Sequence, residues 1–177
     1  MIKIVTLCLL LTNFCFAESR TFELSSSSFD DGELMPMKQV SNHAGCKGKN
    51  DSPALEWTDG PVGTKSYAIT VYDKDAQVGK AWWHWIVFNI PASVTSLKES
   101  VAALPKQVIQ GKNDFGESRY EGACPPVGGR VHHYIFTVYA LNVEKVPFNS
   151  DISGAVAELQ FKRNMLAKAT VTATYSR

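Results

Sequence analysis

The sequence predicts a single, mostly β domain with one late helix, on three observations. Lys65–Tyr72, Ala81–Ile90 and His132–Tyr139 are rich in β-branched and aromatic residues, which suit a pleated, packed surface. A convincing helical spacing of apolar residues occurs once, from about Ser153 to Ala167. Between these segments lie glycine-, proline- and aspartate-rich turns, with no internal repeat and no linker. The 177 residues, 45% hydrophobic and 20% charged, suffice for one core of ordinary size.

Met1-Ile2-Lys3 leads into an apolar run from Ile4 to Phe16, and Cys15-Phe16-Ala17 places small residues at the first and third positions of the triplet. This pattern reads as a secretory signal peptide cleaved after Ala17, leaving residues 18–177 as the domain. The run is shorter than the roughly 20 apolar residues of a membrane-spanning helix. Asn13-Phe14-Cys15 does not supply the small-residue box that precedes a lipid-bearing cysteine. The expectation is an exported, periplasmic or secreted protein without a stable membrane anchor.

Cleavage removes Lys3 and no acid, so 18 Lys+Arg become 17 against 17 Asp+Glu, a mature charge near zero. A neutral surface argues against nucleic acid as a partner, because phosphate-backbone binding needs clustered Lys and Arg. Cleavage also removes Cys8 and Cys15, and the two remaining cysteines, Cys46 and Cys124, are expected to form a disulfide in an oxidising compartment. A metal site on these cysteines is disfavoured, since neither has a second cysteine or histidine at ligand spacing.

Along the chain, Thr21–Phe29 reads as a polar first strand at a sheet edge, and Asp30-Asp31-Gly32-Glu33 as a turn. Leu34–Val40 is a second strand or a loop, demoted to an edge by Pro36. Asn42–Gly63 is a long irregular stretch pinned by Cys46. The strand at Lys65–Tyr72 ends in Asp73-Lys74-Asp75, whose two acids share a side if the extended conformation persists. The nearly continuous apolar run Ala81–Ile90 belongs in the centre of a sheet, with Trp82, His84, Ile86 and Phe88 on one face and Trp83, Trp85 and Val87 on the other; Pro91 stops it. A short helix is predicted around Ser96–Val101 and a brief strand at Gln107–Gly111.

Cys124-Pro125-Pro126-Val127-Gly128-Gly129 is a rigid-then-flexible loop that enters a strand, with His132 and Tyr134 on one face and His133 on the other. Val156, Leu159, Met165 and Leu166 recur at helical spacing in the late helix, which has Ser or Asp available as N-cap. Ala169–Tyr175 alternates into a final strand. Acids at one strand end, His84 on the next strand and His132 with Tyr134 on a third fit a pocket that concentrates a few polar groups among aromatic walls.

These residues carry a resemblance. Ser52-Pro53-Ala54-Leu55-Glu56-Trp57, Val71-Tyr72-Asp73-Lys74-Asp75-Ala76, Trp82-Trp83-His84-Trp85-Ile86-Val87-Phe88-Asn89-Ile90-Pro91, Asn113-Asp114-Phe115-Gly116, and Cys124-Pro125-Pro126 through His132-His133-Tyr134 resemble the phosphatidylethanolamine-binding protein family in its bacterial Raf-kinase-inhibitor-like branch. The resemblance spans nearly the whole mature chain. It implies a large central antiparallel sheet packed on a smaller one, with an anion-binding cavity near a C-terminal helix. It places the ligand-binding set on Asp73, His84, Pro125, Pro126, His132 and Tyr134.

The ligand it implies is phosphate, acetate or the phosphoryl head group of a lipid, without a cofactor or metal. Asp73 is then expected to orient His84 or keep it protonated, and amides near Gly128 and Gly129 to assist. The sequence departs from the family at Asp73-Lys74-Asp75-Ala76-Gln77, which lacks two prolines common there, and at His133, which replaces an arginine. The leading function is therefore a non-enzymatic binding, inhibitory or interaction module whose protein target is unknown. The alternative is a metal-assisted hydrolase using Asp73, Asp75, His84 and His132. A serine hydrolase is disfavoured by the lack of a Gly-x-Ser-x-Gly elbow.

Overall fold

Two long antiparallel neighbours, β3 (Ser66–Gln77) and β4 (Lys80–Pro91), form the centre of the computed structural model, which describes residues 21–77, 80–101 and 104–177. The predicted signal peptide lies outside the described residues. The remaining strands among the described residues are β1 (Leu24–Ser25), β2 (Leu55–Trp57), β5 (Ser96–Leu97), β6 (Ile109–Gln110), β7 (His132–Leu141) and β8 (Met165–Tyr175), with the helix α1 (Gly154–Asn164) before β8. A five-stranded sheet has the order β6-β4-β3-β7-β8, and a three-stranded sheet the order β1-β2-β5; neighbouring strands in both are antiparallel.

The core has two compartments because the large sheet is covered on both faces. Between the sheets, Leu24, Leu55, Trp57 and Leu97 of the small sheet cluster with Tyr67, Ile69, Val71, Trp85, Val87, Phe136 and Val138 of the large one. On the opposite face, Ala157 and Phe161 of α1 cluster with Ala68, Trp83, Ile86, Phe88, Tyr139 and Leu141. Gly154 lets the start of α1 lie directly on an indole: a Cβ there would sit 2.2 Å from Trp83 Cγ. Residues 31–35 run beside β8, with Gly32 N–H donating to Thr172 O, Thr174 N–H to Glu33 O and Met35 N–H to Thr174 O.

Several local expectations are corrected. The first strand shrinks to two residues because Ser26 captures the backbone: its hydroxyl donates to Ala54 O and accepts from Ser28 N–H. Leu34 and Val40 make isolated parallel bridges, so of the two alternatives for their segment the loop holds. The short helix placed around Ser96–Val101 is instead β5 at its start; pairing with β2 outweighs local preference, and Trp57 N–H donates to Thr95 O beside it.

The late helix stops at Asn164 and the chain passes directly into β8, where Ala169-Thr170-Val171-Thr172-Ala173 favours extension. Its buried face is Gly154, Ala157 and Phe161, while Val156, Leu159 and Leu166 are exposed. The small residues that let α1 approach the sheet, rather than the larger aliphatics, define the packed stripe.

The single alternation predicted for β4 also fails. Pairing passes from Val71↔Trp85 to Tyr72↔Trp83, which makes His84 the extra residue of a bulge. Trp83, Ile86 and Phe88 consequently face α1, while Trp85, Val87 and Ile90 face the small sheet. A second irregularity, between Tyr67↔Ile90 and Ile69↔Val87, contains Asn89 at φ 60°, a left-handed conformation that asparagine tolerates. Its side-chain oxygen accepts Val146 N–H at 2.8 Å.

Candidate functional site

Antiparallel order brings the end of β3 and the starts of β4 and β7 to one margin of the sheet. Asp73 lies opposite Trp82 on one side and Tyr134 on the other. The bulge turns His84 toward the same margin, where it meets Tyr134 edge-to-face with ring centres 5.2 Å apart. Asp73, His84, Pro125, Pro126, His132 and Tyr134 surround one cavity of about 220 Å³. Ala76, Trp82, Phe115 and Cys124 complete its lining.

Phe115 is an aromatic wall that sequence reasoning missed as a site residue. Its ring packs edge-on against both His84, at 5.2 Å, and Trp82, at 5.7 Å. Asn113 fixes this approach by accepting Phe115 N–H and Glu117 N–H on its side-chain oxygen, a local turn signalled by Asn113-Asp114-Phe115-Gly116. Trp82, expected from sequence only on a strand face, also lines the cavity.

The polar groups are held by named partners. Asp73 Oδ2 accepts from His132 Nδ1 at 2.6 Å, and both side chains are almost fully buried. Asp73 Oδ1 accepts Asp75 N–H at 2.8 Å. His84 Nδ1 lies 2.7 Å from Glu121 O; a carbonyl only accepts, so Nδ1 carries the proton. Burial lowers the His84 pKa and outweighs the Glu121 backbone bond and the nearby charges of Asp73, Glu121 and Asp114, which act upward. Burial, followed by the charge of Asp73, pushes the Tyr134 hydroxyl well up, so it remains a neutral donor at ordinary pH.

The expected partnership of Asp73 with His84 is thus replaced: Asp73 orients His132, and the backbone of Glu121 orients His84. The amides of Gly128 and Gly129 are also committed elsewhere, to Arg177 O at 2.6 Å and Pro126 O at 3.2 Å. Arg177 Nε donates to Pro125 O at 2.7 Å, and the Cys46–Cys124 disulfide ties the same loop to residues 43–46. The proline wall is fixed from two directions.

Asp75 does not share the cavity with Asp73. Pairing of β3 with β4 is irregular after Asp73, and Asp75 Oδ2 accepts from both His133 N–H, at 2.9 Å, and His133 Nδ1, at 2.7 Å. Burial alone would raise the Asp75 pKa, but the His133 bonds and Arg130 together hold it below the usual carboxylate value. His133 lies outside the cavity lining, as its alternation from His132 predicts. Asp73, His84 and His132 therefore share the cavity without Asp75, and among the described residues no group of three or more His, Cys, Asp or Glu is arranged to hold a metal ion.

Comparison with known proteins matches this architecture. The sequence profile described as Phosphatidylethanolamine-binding protein covers residues 25–176. UPF0098 protein YbcL of Escherichia coli is 44% identical over 164 residues, covering 90% of each chain. UPF0098 protein YbhB of the same organism is 42% identical over 158 residues, covering 87% of this chain and 99% of its own.

The crystal structure of E. coli YbcL, described as a member of the mammalian PEBP family, superposes with a TM-score of 0.85 at 44% identity, covering 88% of this chain and 98% of that one. A PEBP homolog from Chlamydia trachomatis gives a TM-score of 0.76 at 31% identity, covering 90% of this chain and 99% of its own. With its two antiparallel sheets and C-terminal helix, the chain belongs to the phosphatidylethanolamine-binding protein family, as a YbcL/YbhB-like member.

Proposed function

We propose that this chain is an exported, non-catalytic binding module that holds a phosphate-bearing or other anionic small ligand against His84, His132 and Tyr134. The observation that carries the reading is the pairing of each imidazole Nδ1 with a protein acceptor, while both rings line one cavity. Each Nε2 is then the ring nitrogen available to a guest, and Tyr134 adds a hydroxyl donor. About 220 Å³ suits a phosphoryl or carboxylate group with a small substituent rather than a large cofactor. Membership of a family named for phosphatidylethanolamine binding favours the same ligand chemistry.

The phosphate can belong to a free small molecule or to a lipid head group, with any inhibitory protein target recognised separately. Among the described residues no helix is long and apolar enough to cross a membrane. Export rests on the sequence of residues 1–17. Isothermal titration with inorganic phosphate and O-phosphoserine tests the binding reading: saturable heat that disappears in His132→Ala supports it, and dilution heat alone at millimolar ligand rejects it. Cell fractionation followed by N-terminal sequencing tests export; intact Met1 on cytoplasmic protein would overturn it.

A further inference from the structure

The hydrogen-bond directions in the cavity restrict its guest further than charge does. Glu121 O can only accept, so His84 Nδ1 donates and the neutral ring presents an Nε2 lone pair. The same logic applies to His132: its Nδ1 faces a carboxylate oxygen of Asp73, leaving Nε2 as an acceptor when the ring is neutral. Among the other lining side chains, the Trp82 indole can only donate, while the Tyr134 hydroxyl beside Asp73 can turn and either donate or accept. Asp73 adds a buried negative charge at the cavity wall, only 3% exposed. A bare anionic oxygen placed against His84 Nε2 would meet a lone pair on one side and that carboxylate on the other.

We propose that the cavity selects anions that bring their own acidic proton, such as phosphomonoester monoanions, over phosphodiesters and sulfate esters, because His84 Nε2 accepts a hydrogen bond from the guest. This specificity rests on the reading of the cavity as an anion site. It separates two sources of phosphate: the monoanion of a free monoester carries a P–OH, whereas the phosphate of a phospholipid that bears a head-group alcohol is a diester and does not.

The groups around His84 agree with an uncharged ring. From β3 it faces Asp73; from β7, His132 and Tyr134; and from residues 113–121, Asp114 and Glu121. The Glu121 carboxylate is already bonded to Ser41 Oγ at 2.6 Å and Asn50 Nδ2 at 3.3 Å, and Asp114 Oδ2 accepts Trp83 N–H at 2.9 Å. Their charges are thus partly offset by bonded donors, and burial of the ring prevails.

The test is calorimetric titration of the protein with methyl phosphate, dimethyl phosphate and methyl sulfate from pH 6 to 8, in two buffers of different ionisation enthalpy. A phosphomonoester loses its second proton near pH 6, so its affinity is expected to fall about tenfold per unit above pH 7, with about one proton taken up per guest bound at pH 8. Dimethyl phosphate and methyl sulfate are expected to bind at least about tenfold more weakly at pH 6, since they leave the Nε2 acceptor unpaired. In His84→Asn the amide can still donate to Glu121 O but has no Nε2, and the preference for methyl phosphate over dimethyl phosphate is expected to shrink at least threefold. Equal affinity for the three anions without proton uptake would overturn the proton requirement while leaving the anion site standing. Failure of every anion to bind would overturn both.

Discussion

His132 Nδ1 and Asp73 Oδ2 lie 2.6 Å apart across neighbouring strands, and Asp73 uses its second oxygen to accept Asp75 N–H. One carboxylate thus holds both a cavity imidazole and the backbone amide of Asp75. In Asp73→Asn a single amide oxygen must replace two acceptors, leaving one buried donor facing an NH2. The expected cost is about 1–3 kcal/mol. Urea unfolding measures it; a change within about 0.5 kcal/mol would mean that the pair is structurally dispensable.

The low pKa of His84 gives stability a definite slope. Below the ordinary histidine value of about 6.5 the unfolded ring takes up a proton that the folded ring refuses, so the unfolded state binds more protons. Stability from this group is complete above that value and is lost as pH falls through it toward the folded pKa. The wild-type protein should therefore lose more unfolding free energy between pH 7 and pH 5 than His84→Asn does. Parallel pH slopes in the two proteins would contradict the assignment.

The disulfide closes a loop with a sequence separation of 78. Replacing both cysteines by serine should remove about 4 kcal/mol through the greater freedom of the unfolded chain. Denaturant midpoints give the stability change, and anion titration of the folded double variant reports on the cavity. A loss of affinity beyond the unfolded fraction would show that the bond also holds the Pro125–Pro126 wall.

Gly154 offers a test of the helix face of the core. The Cβ of Gly154→Ala would overlap the Trp83 ring, forcing α1 to move, at an expected cost of about 1–3 kcal/mol despite alanine's better helix propensity. A thermal melt that rises instead would show that α1 is free to shift outward.

The strands carrying the site were legible because Lys65–Tyr72, Ala81–Ile90 and His132–Tyr139 have compositions that local preference and tertiary packing both favour. Their pocket residues were legible from the quoted motifs at the strand ends. The partners of those residues were not. Glu121 meets His84 through its backbone oxygen, which no side-chain pattern announces.

The bulge that redirects His84 depends on register with β3, and strict alternation cannot reveal it. Helix α1 misled for a related reason: Val156 and Leu159 have the spacing of a core stripe, yet Gly154 and Ala157 permit closer approach to the sheet. The two-residue β5 depends on pairing with β2 and has too little sequence to show a period.

Residues 31–35 have a consequence for behaviour at high concentration. The Thr170–Thr174 stretch of β8 alternates in a way that would suit addition of a foreign strand, and an open ladder edge is a template for aggregation. Gly32, Glu33 and Met35 instead occupy backbone groups of Thr172 and Thr174 from within the chain. At the opposite margin β6 offers only Ile109 and Gln110. The sheet thus presents one margin occupied from within the chain and the other short, which leaves little open ladder for a second molecule to extend.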